Sequence, residues 1–75
     1  MANYQLFGTK TCPYTQEMRD WLEWQGHDYV EYDVESDQDA RTWMLAISGG
    51  QRTVPILAAD GGVVQVGWRG RGCVV

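Results

Sequence analysis

Tyr4-Gln5-Leu6-Phe7-Gly8-Thr9-Lys10-Thr11-Cys12-Pro13-Tyr14-Thr15 is the stretch whose reading decides the fold. Tyr4 to Phe7 reads as a short apolar strand, and Gly8-Thr9-Lys10-Thr11 as the loop leaving it. From Pro13 the pattern turns helical, because proline is preorganised for the first helical position, where its missing N–H costs nothing. That makes Cys12 the expected N-cap, with the free N–H groups of the first turn and the positive end of the helix dipole directed at its sulfur. A thiol so placed is pushed toward thiolate, the nucleophilic form. The alternative is a small buried apolar cysteine without chemistry. Thr15 stands where the second cysteine of a Cys-x-x-Cys pair would be, so the motif has an attacker and no neighbouring resolver.

Further along, strands and helices alternate. Met18, Leu22 and Gln25 trail one helical face with Trp21 beside them, and Gly26 is a fitting stop. Tyr29 to Val34 alternates with a period of two, which puts Val30, Tyr32 and Val34 on one face. Ser36 followed by Asp39 resembles a helix start, after which Ala40, Trp43, Met44 and Ile47 recur at helical spacing up to Gly49-Gly50. Pro55-Ile56-Leu57-Ala58 and Val63-Val64-Gln65-Val66 flank Asp60-Gly61-Gly62, a hairpin signal. The expected order is strand, helix, strand, helix, strand, strand. A right-handed crossover makes the first two strands parallel, and the hairpin is antiparallel within itself. A reactive residue at the carboxyl end of a central strand is where such sheets put their sites.

Length and charge bound the function. A chain of 75 residues holds one small core, so residues 1–75 are expected to form a single domain. Cys12 and Cys73 are too few for a disulfide scaffold of the secreted kind, and with His27 alone they do not make a zinc site. Met1-Ala2-Asn3-Tyr4 has no charged lead before a long apolar run, so neither a signal peptide nor a membrane span is expected, and the cytoplasm is the default. The net charge of −4 is unevenly spread. Nine acidic residues from Glu17 to Asp39 face Arg19 alone, most simply as a solvated face. Lys10, Arg41, Arg52, Arg69 and Arg71 lie outside that segment, and if their loops converge they form a small positive rim suited to a carboxylate ligand. The run Arg69-Gly70-Arg71-Gly72 is a poor nucleic-acid signal on an acidic chain. Trp21, Trp24 and Trp43 read as core or half-buried helix residues, and His27 as a surface loop residue.

Cys12-Pro13-Tyr14, the segment Tyr29 to Val34 with Glu35-Ser36-Asp37, Gly49-Gly50-Gln51-Arg52-Thr53-Val54-Pro55, and Gly67 after the last strand together resemble a glutaredoxin of the thioredoxin-like fold. The resemblance runs from about Tyr4 to Trp68 and implies an α/β fold of order β-α-β-α-β-β, with a mixed four-stranded sheet and no C-terminal helix. It also implies that Pro55 is cis and faces Cys12, and that Val54 offers its backbone to the cysteinyl part of glutathione. A cis X–Pro bond makes a tight turn, and the extended backbone beside it can pair with a peptide-like substrate in β fashion; the alternative is a trans proline opening an edge strand. The basic residue for the glutathione carboxylates would be Lys10, one residue closer to Cys12 than is usual, with Arg52 sharing the task because arginine pairs bidentately.

Two departures shape the expected mechanism. Thr15 resembles the monothiol members, implying that Cys12 attacks a glutathione mixed disulfide, releases the reduced protein and is regenerated by a second glutathione. Gly67-Trp68-Arg69-Gly70-Arg71-Gly72 replaces the usual acidic helix-capping residues, leaving Arg69 or Arg71 for the glutamyl carboxylate. The expected binding set is therefore Lys10, Pro13, Tyr14, Thr15, Arg52, Thr53, Val54, Pro55, Gly67, Trp68 and Arg69 around catalytic Cys12. Glutathione is the co-substrate, no bound metal is expected, and glutathionylated or disulfide-containing proteins are the partners of a monomer or weak dimer. One alternative is an iron–sulfur carrier bridging a [2Fe-2S] cluster through Cys12 and glutathione in a dimer; another is a non-catalytic partner-binding module. Without a last helix, one sheet face needs a cover, from the folded-back tail with Trp68, Val74 and Val75 or from a second chain. Cys73 is expected on a frayed terminus. Its alternative is a remote resolving cysteine, since the five residues after Trp68 span roughly 15 Å when extended.

Overall fold

The computed structural model describes residues 4–75; Met1 to Asn3, on which the reading of a leader rests, lie outside them. The elements are β1 (Tyr4–Gly8), α1 (Pro13–Trp24), β2 (Tyr29–Asp33), α2 (Gln38–Ser48), β3 (Thr53–Val54), β4 (Ile56–Ala59), β5 (Gly62–Val66) and β6 (Cys73–Val74). Four strands form a mixed sheet in the order β2-β1-β4-β5, with β1 and β2 parallel and the other neighbours antiparallel. This is the thioredoxin-like α/β architecture that the alternating pattern implies. β3 and β6 add a small antiparallel ladder of their own.

Successive residues of a strand point to opposite faces, and β1 uses that to build two cores. Leu6 joins Met18 and Leu22 of α1 and Leu57 of β4 on one face. Phe7 joins Ala40 and Met44 of α2 with Val34, Ile56 and Ala58 on the other. Burying each of the larger side chains contributes about 1.5–3 kcal/mol, so β1 is the hub between two helical layers. Between those helices and the strands, Arg19 of α1 reaches Glu31 of β2 through Nε and Nη2, a forked pair with Nη2 at 2.7 Å from Oε2.

Several sequence expectations are corrected here. β2 is an edge strand, so its apolar face is covered only in part: Val34 is buried and Tyr32 stacks on Phe7 at 5.3 Å, but Val30 is exposed. Asp37 rather than Ser36 caps α2, accepting a hydrogen bond from the Ala40 N–H at 3.1 Å. Trp24 points to solvent at the last turn of α1, 82% exposed. His27 is half-buried, edge-on to Tyr4 and tilted against Trp21, because the chain turns back there to start β2. Nearly all the acidic residues from Glu17 to Asp39 are exposed; Asp33 alone among them is half-buried, its carboxylate accepting from the Glu35 N–H.

The largest correction concerns the tail. Cys73 does not lie on a frayed terminus: it is half-buried in β6, opposite Val54. The physical reason is a tight reversal at Trp68-Arg69-Gly70-Arg71. Arg69 and Gly70 both have positive φ, 52° and 79°, as a two-residue hairpin turn requires. Trp68 and Arg71 close it with reciprocal backbone bonds, and Trp68 packs against the α1-side core.

Candidate functional site

Cys12 leaves the carboxyl end of β1 and caps α1, with Pro13 at the first helical position. Its φ and ψ of −80° and 116° are extended, as an N-cap demands. Yet its sulfur takes no hydrogen bond from the first turn. The sulfur is instead joined to Cys73 in a disulfide, with Cα atoms 6.1 Å apart, inside the range that a disulfide spans. Cys12 is 2% exposed and belongs to the α2-side core.

The Val54–Pro55 peptide bond is cis, and both residues are buried. Cys12 Sγ lies 4.0 Å from the Val54 carbonyl oxygen, so the segment before Pro55 faces the cysteine. β6 occupies the backbone edge of that segment: Thr53 is opposite Val74 and Val54 opposite Cys73. The ladder continues into Arg52, whose carbonyl accepts from the Val75 N–H at 2.9 Å and whose Nε donates to the Val75 oxygen at 2.7 Å. The side chain expected to meet glutathione carboxylates thus holds the protein's own tail. Gly72 makes the approach possible. A β-carbon at this position would stand 2.6 Å from Thr53 Cγ2, and closer still to the Val54 oxygen.

Two clefts share Tyr14 and Arg71. One, of about 350 Å³, is lined by Tyr14, Glu17, Trp68, Arg69 and Arg71. The other, of about 510 Å³, lies along Tyr14, Thr53, Gly67, Gly72 and Val74 with neighbouring tail residues. Tyr14 therefore runs along the site, and Arg69, stacked over Trp68 with its guanidinium 5.5 Å from the ring centroid, gives it positive charge opposite Glu17. Gly67 anchors the tail's departure by donating to the Pro55 oxygen at 2.7 Å.

Cys12, Pro13, Tyr14, Thr53, Val54, Pro55, Gly67, Trp68 and Arg69 are thus brought together, with Arg52 at the outer end of the tail ladder. Thr15 lies beneath them, fully buried, and its hydroxyl has no hydrogen-bond partner. Lys10 is exposed on the preceding loop and lines neither cleft. Sequence reasoning missed Gly72, Val74 and Val75 as site residues. The signal that points to them is the Arg69-Gly70 pair, a two-residue turn between residues able to pair. Among the described residues, no group of three or more His, Cys, Asp or Glu side chains is placed to hold a metal ion, and no helix is long and apolar enough to cross a membrane.

A family model described as Glutaredoxin matches residues 5–64. A protein named as a probable glutaredoxin in Synechocystis is 35% identical over 63 residues, covering 83% of this chain and 58% of the relative, so the chain spans less than two thirds of that protein's length. Mycoredoxin 1 of Corynebacterium glutamicum is 31% identical over 62 residues, 83% of this chain and 76% of its own. Among solved structures, a thioredoxin-like protein superposes with a TM-score of 0.73 at 26% identity over 81% of this chain and 82% of its own. The glutaredoxin of Archaeoglobus fulgidus shares the fold, with a TM-score of 0.78 at 22% identity over 92% and 78% of the two chains. With the cysteine at the helix start, the facing proline and the strand order in agreement, the chain belongs to the glutaredoxin family.

Proposed function

We propose that this single domain is a thiol–disulfide oxidoreductase in which Cys12 attacks and Cys73 resolves, with glutathione as the reductant that the family uses. The observation that carries this reading is the Cys12–Cys73 disulfide, formed by a tail strand in register with Val54. A Cys12 thiolate attacks the disulfide of a glutathionylated or disulfide-containing protein; one thiolate leaves, and a mixed disulfide on Cys12 remains. The Cys73 thiolate then attacks Cys12 Sγ, the second thiolate leaves, and two electrons have passed from the protein to its substrate. Two glutathione molecules reduce Cys12–Cys73 and depart as the oxidised dimer. Pro55 and Val54 shape the cleft, Tyr14 lines it, and Arg69 with Arg71 supplies positive charge for a carboxylate ligand.

Thr15 favours a second reading, the monothiol route, in which glutathione itself resolves the mixed disulfide on Cys12. Cys73→Ser separates the two. Under the dithiol reading the variant keeps turnover of small glutathione mixed disulfides, loses most reduction of protein disulfides, and Cys12→Ser loses both. Equal protein-disulfide reduction by Cys73→Ser and the parent would overturn the dithiol reading in favour of the monothiol one.

A further inference from the structure

We infer that Gly72–Val75 is a displacing strand: Cys73 reaches Cys12 only by taking the backbone edge that holds the substrate's cysteine, and Gly72 is the positioning residue for that exchange. The inference rests on the resolving role proposed for Cys73.

β6 pairs with β3 along the backbone edge beside Pro55 on which Cys73 stands opposite Val54. A backbone edge pairs with one strand at a time. Any cysteine presented to Cys12 in the register seen for Cys73, opposite Val54, needs the same edge. During the mixed disulfide the tail is therefore undocked, and the edge carries the substrate segment. Docking of residues 72–75 then brings the Cys73 thiolate to Cys12 Sγ. The Cys12–Cys73 bond forms, the bond from Cys12 to the substrate sulfur breaks, and the substrate leaves as a thiolate from an edge that is already refilled. The oxidised protein is closed to a second substrate until a thiol reductant reopens it.

Gly72 controls this step because of what surrounds it only when docked. Its φ lies outside the left-handed region, so a side chain there is opposed by contact and not by backbone strain. In the docked tail a β-carbon runs into the Val54 oxygen and Thr53 Cγ2. A single added methyl group thus opposes docking and leaves Cys12, α1 and Pro55 untouched. The Val75 N–H, bonded to the Arg52 oxygen, contributes to the same docking from the far end.

The test is single-turnover oxidation of the fully reduced protein by oxidised glutathione, quenched with acid and read by intact mass. The parent should show glutathionylated Cys12 transiently and then the Cys12–Cys73 disulfide. In Gly72→Ala, with an intact fold checked by far-UV circular dichroism, the glutathionylated species once formed should persist about tenfold longer, as expected from overpacking one methyl group. Val75→Pro removes a docking hydrogen bond without adding bulk at Val54 and should prolong the same species. Gly61→Asn, at an open left-handed position in the β4–β5 turn that asparagine tolerates, should resolve like the parent. Resolution at the parental rate by both Gly72→Ala and Val75→Pro overturns the displacing strand. A parent that stops at glutathionylated Cys12 overturns the resolving role itself, and the inference falls with it.

Discussion

Gly8 and Thr15 are packed against each other so closely that a β-carbon on Gly8 would stand 2.6 Å from Thr15 Oγ1, and nearer still to Thr15 Cγ2. The end of β1 and the first turn of α1 meet at this contact, directly under the Cys12 loop. Gly8→Ala should therefore destabilise the fold by about 1–3 kcal/mol through overpacking. Pairing it with Thr15→Ala frees the space, so the double variant should recover part of that loss. Urea unfolding of the four proteins measures the coupling, and strictly additive losses would show that the two residues do not meet.

Thr15 also carries a hydroxyl that is fully buried without a partner. Valine has the same branched shape and no polar atom. An unpaired buried hydroxyl costs about 1–3 kcal/mol, so Thr15→Val should raise stability by about 1 kcal/mol and leave the reactivity of Cys12 unchanged. Loss of stability in the valine variant would mean that the hydroxyl has a partner in solution.

Tyr29 predicts an alkaline weakness. Its phenol is held above the ordinary tyrosine range, first by burial and then by the Glu23 carboxylate, an acceptor and a negative charge that both oppose a phenolate. A raised pKa means that the folded state favours the protonated form. The associated stability is fully present below the ordinary tyrosine pKa of about 10 and is lost as pH rises through the folded value. The fall in urea midpoint between pH 8 and about pH 11 should be smaller in Tyr29→Phe than in the parent. An equal fall would remove Tyr29 from the account.

Most of the frame was legible in the sequence because it obeys local periodicity. Leu6 and Phe7 diverge as neighbours on a strand must, and Met18 with Leu22 and Ala40 with Met44 mark helix faces by spacing alone. Cys12 as N-cap follows from Pro13. What was not legible depends on neighbours distant in the chain. Val30 reads as apolar-face strand and is exposed because β2 happens to be the sheet edge. A two-residue strand such as β6 has no period to detect, and its partner lies about twenty residues back along the chain. In the sequence Arg52 reads as a carboxylate contact because arginine pairs bidentately; that its Nε serves the Val75 oxygen follows only from the turn at Arg69-Gly70.

The Cys12–Cys73 bond should also divide the protein into two stability states. The crosslink joins residues 61 apart in sequence and constrains the unfolded chain over most of its length. Closing so long a loop stabilises a fold by typically about 2–4 kcal/mol, because the entropy gained on unfolding is reduced. Reduction also releases the tail to leave the Val54 edge, which uncovers the α2-side core where Val75 and Cys73 now pack. The oxidised protein should therefore unfold at a higher urea concentration than the reduced one, and Cys73→Ser should match the reduced parent under either condition. Small domains gain several degrees in Tm per kcal/mol, so the difference is readable by thermal melting as well. Identical midpoints with and without reductant would show that the crosslink does not form in solution, whereas a gap that survives Cys73→Ser would place its origin outside this cysteine pair.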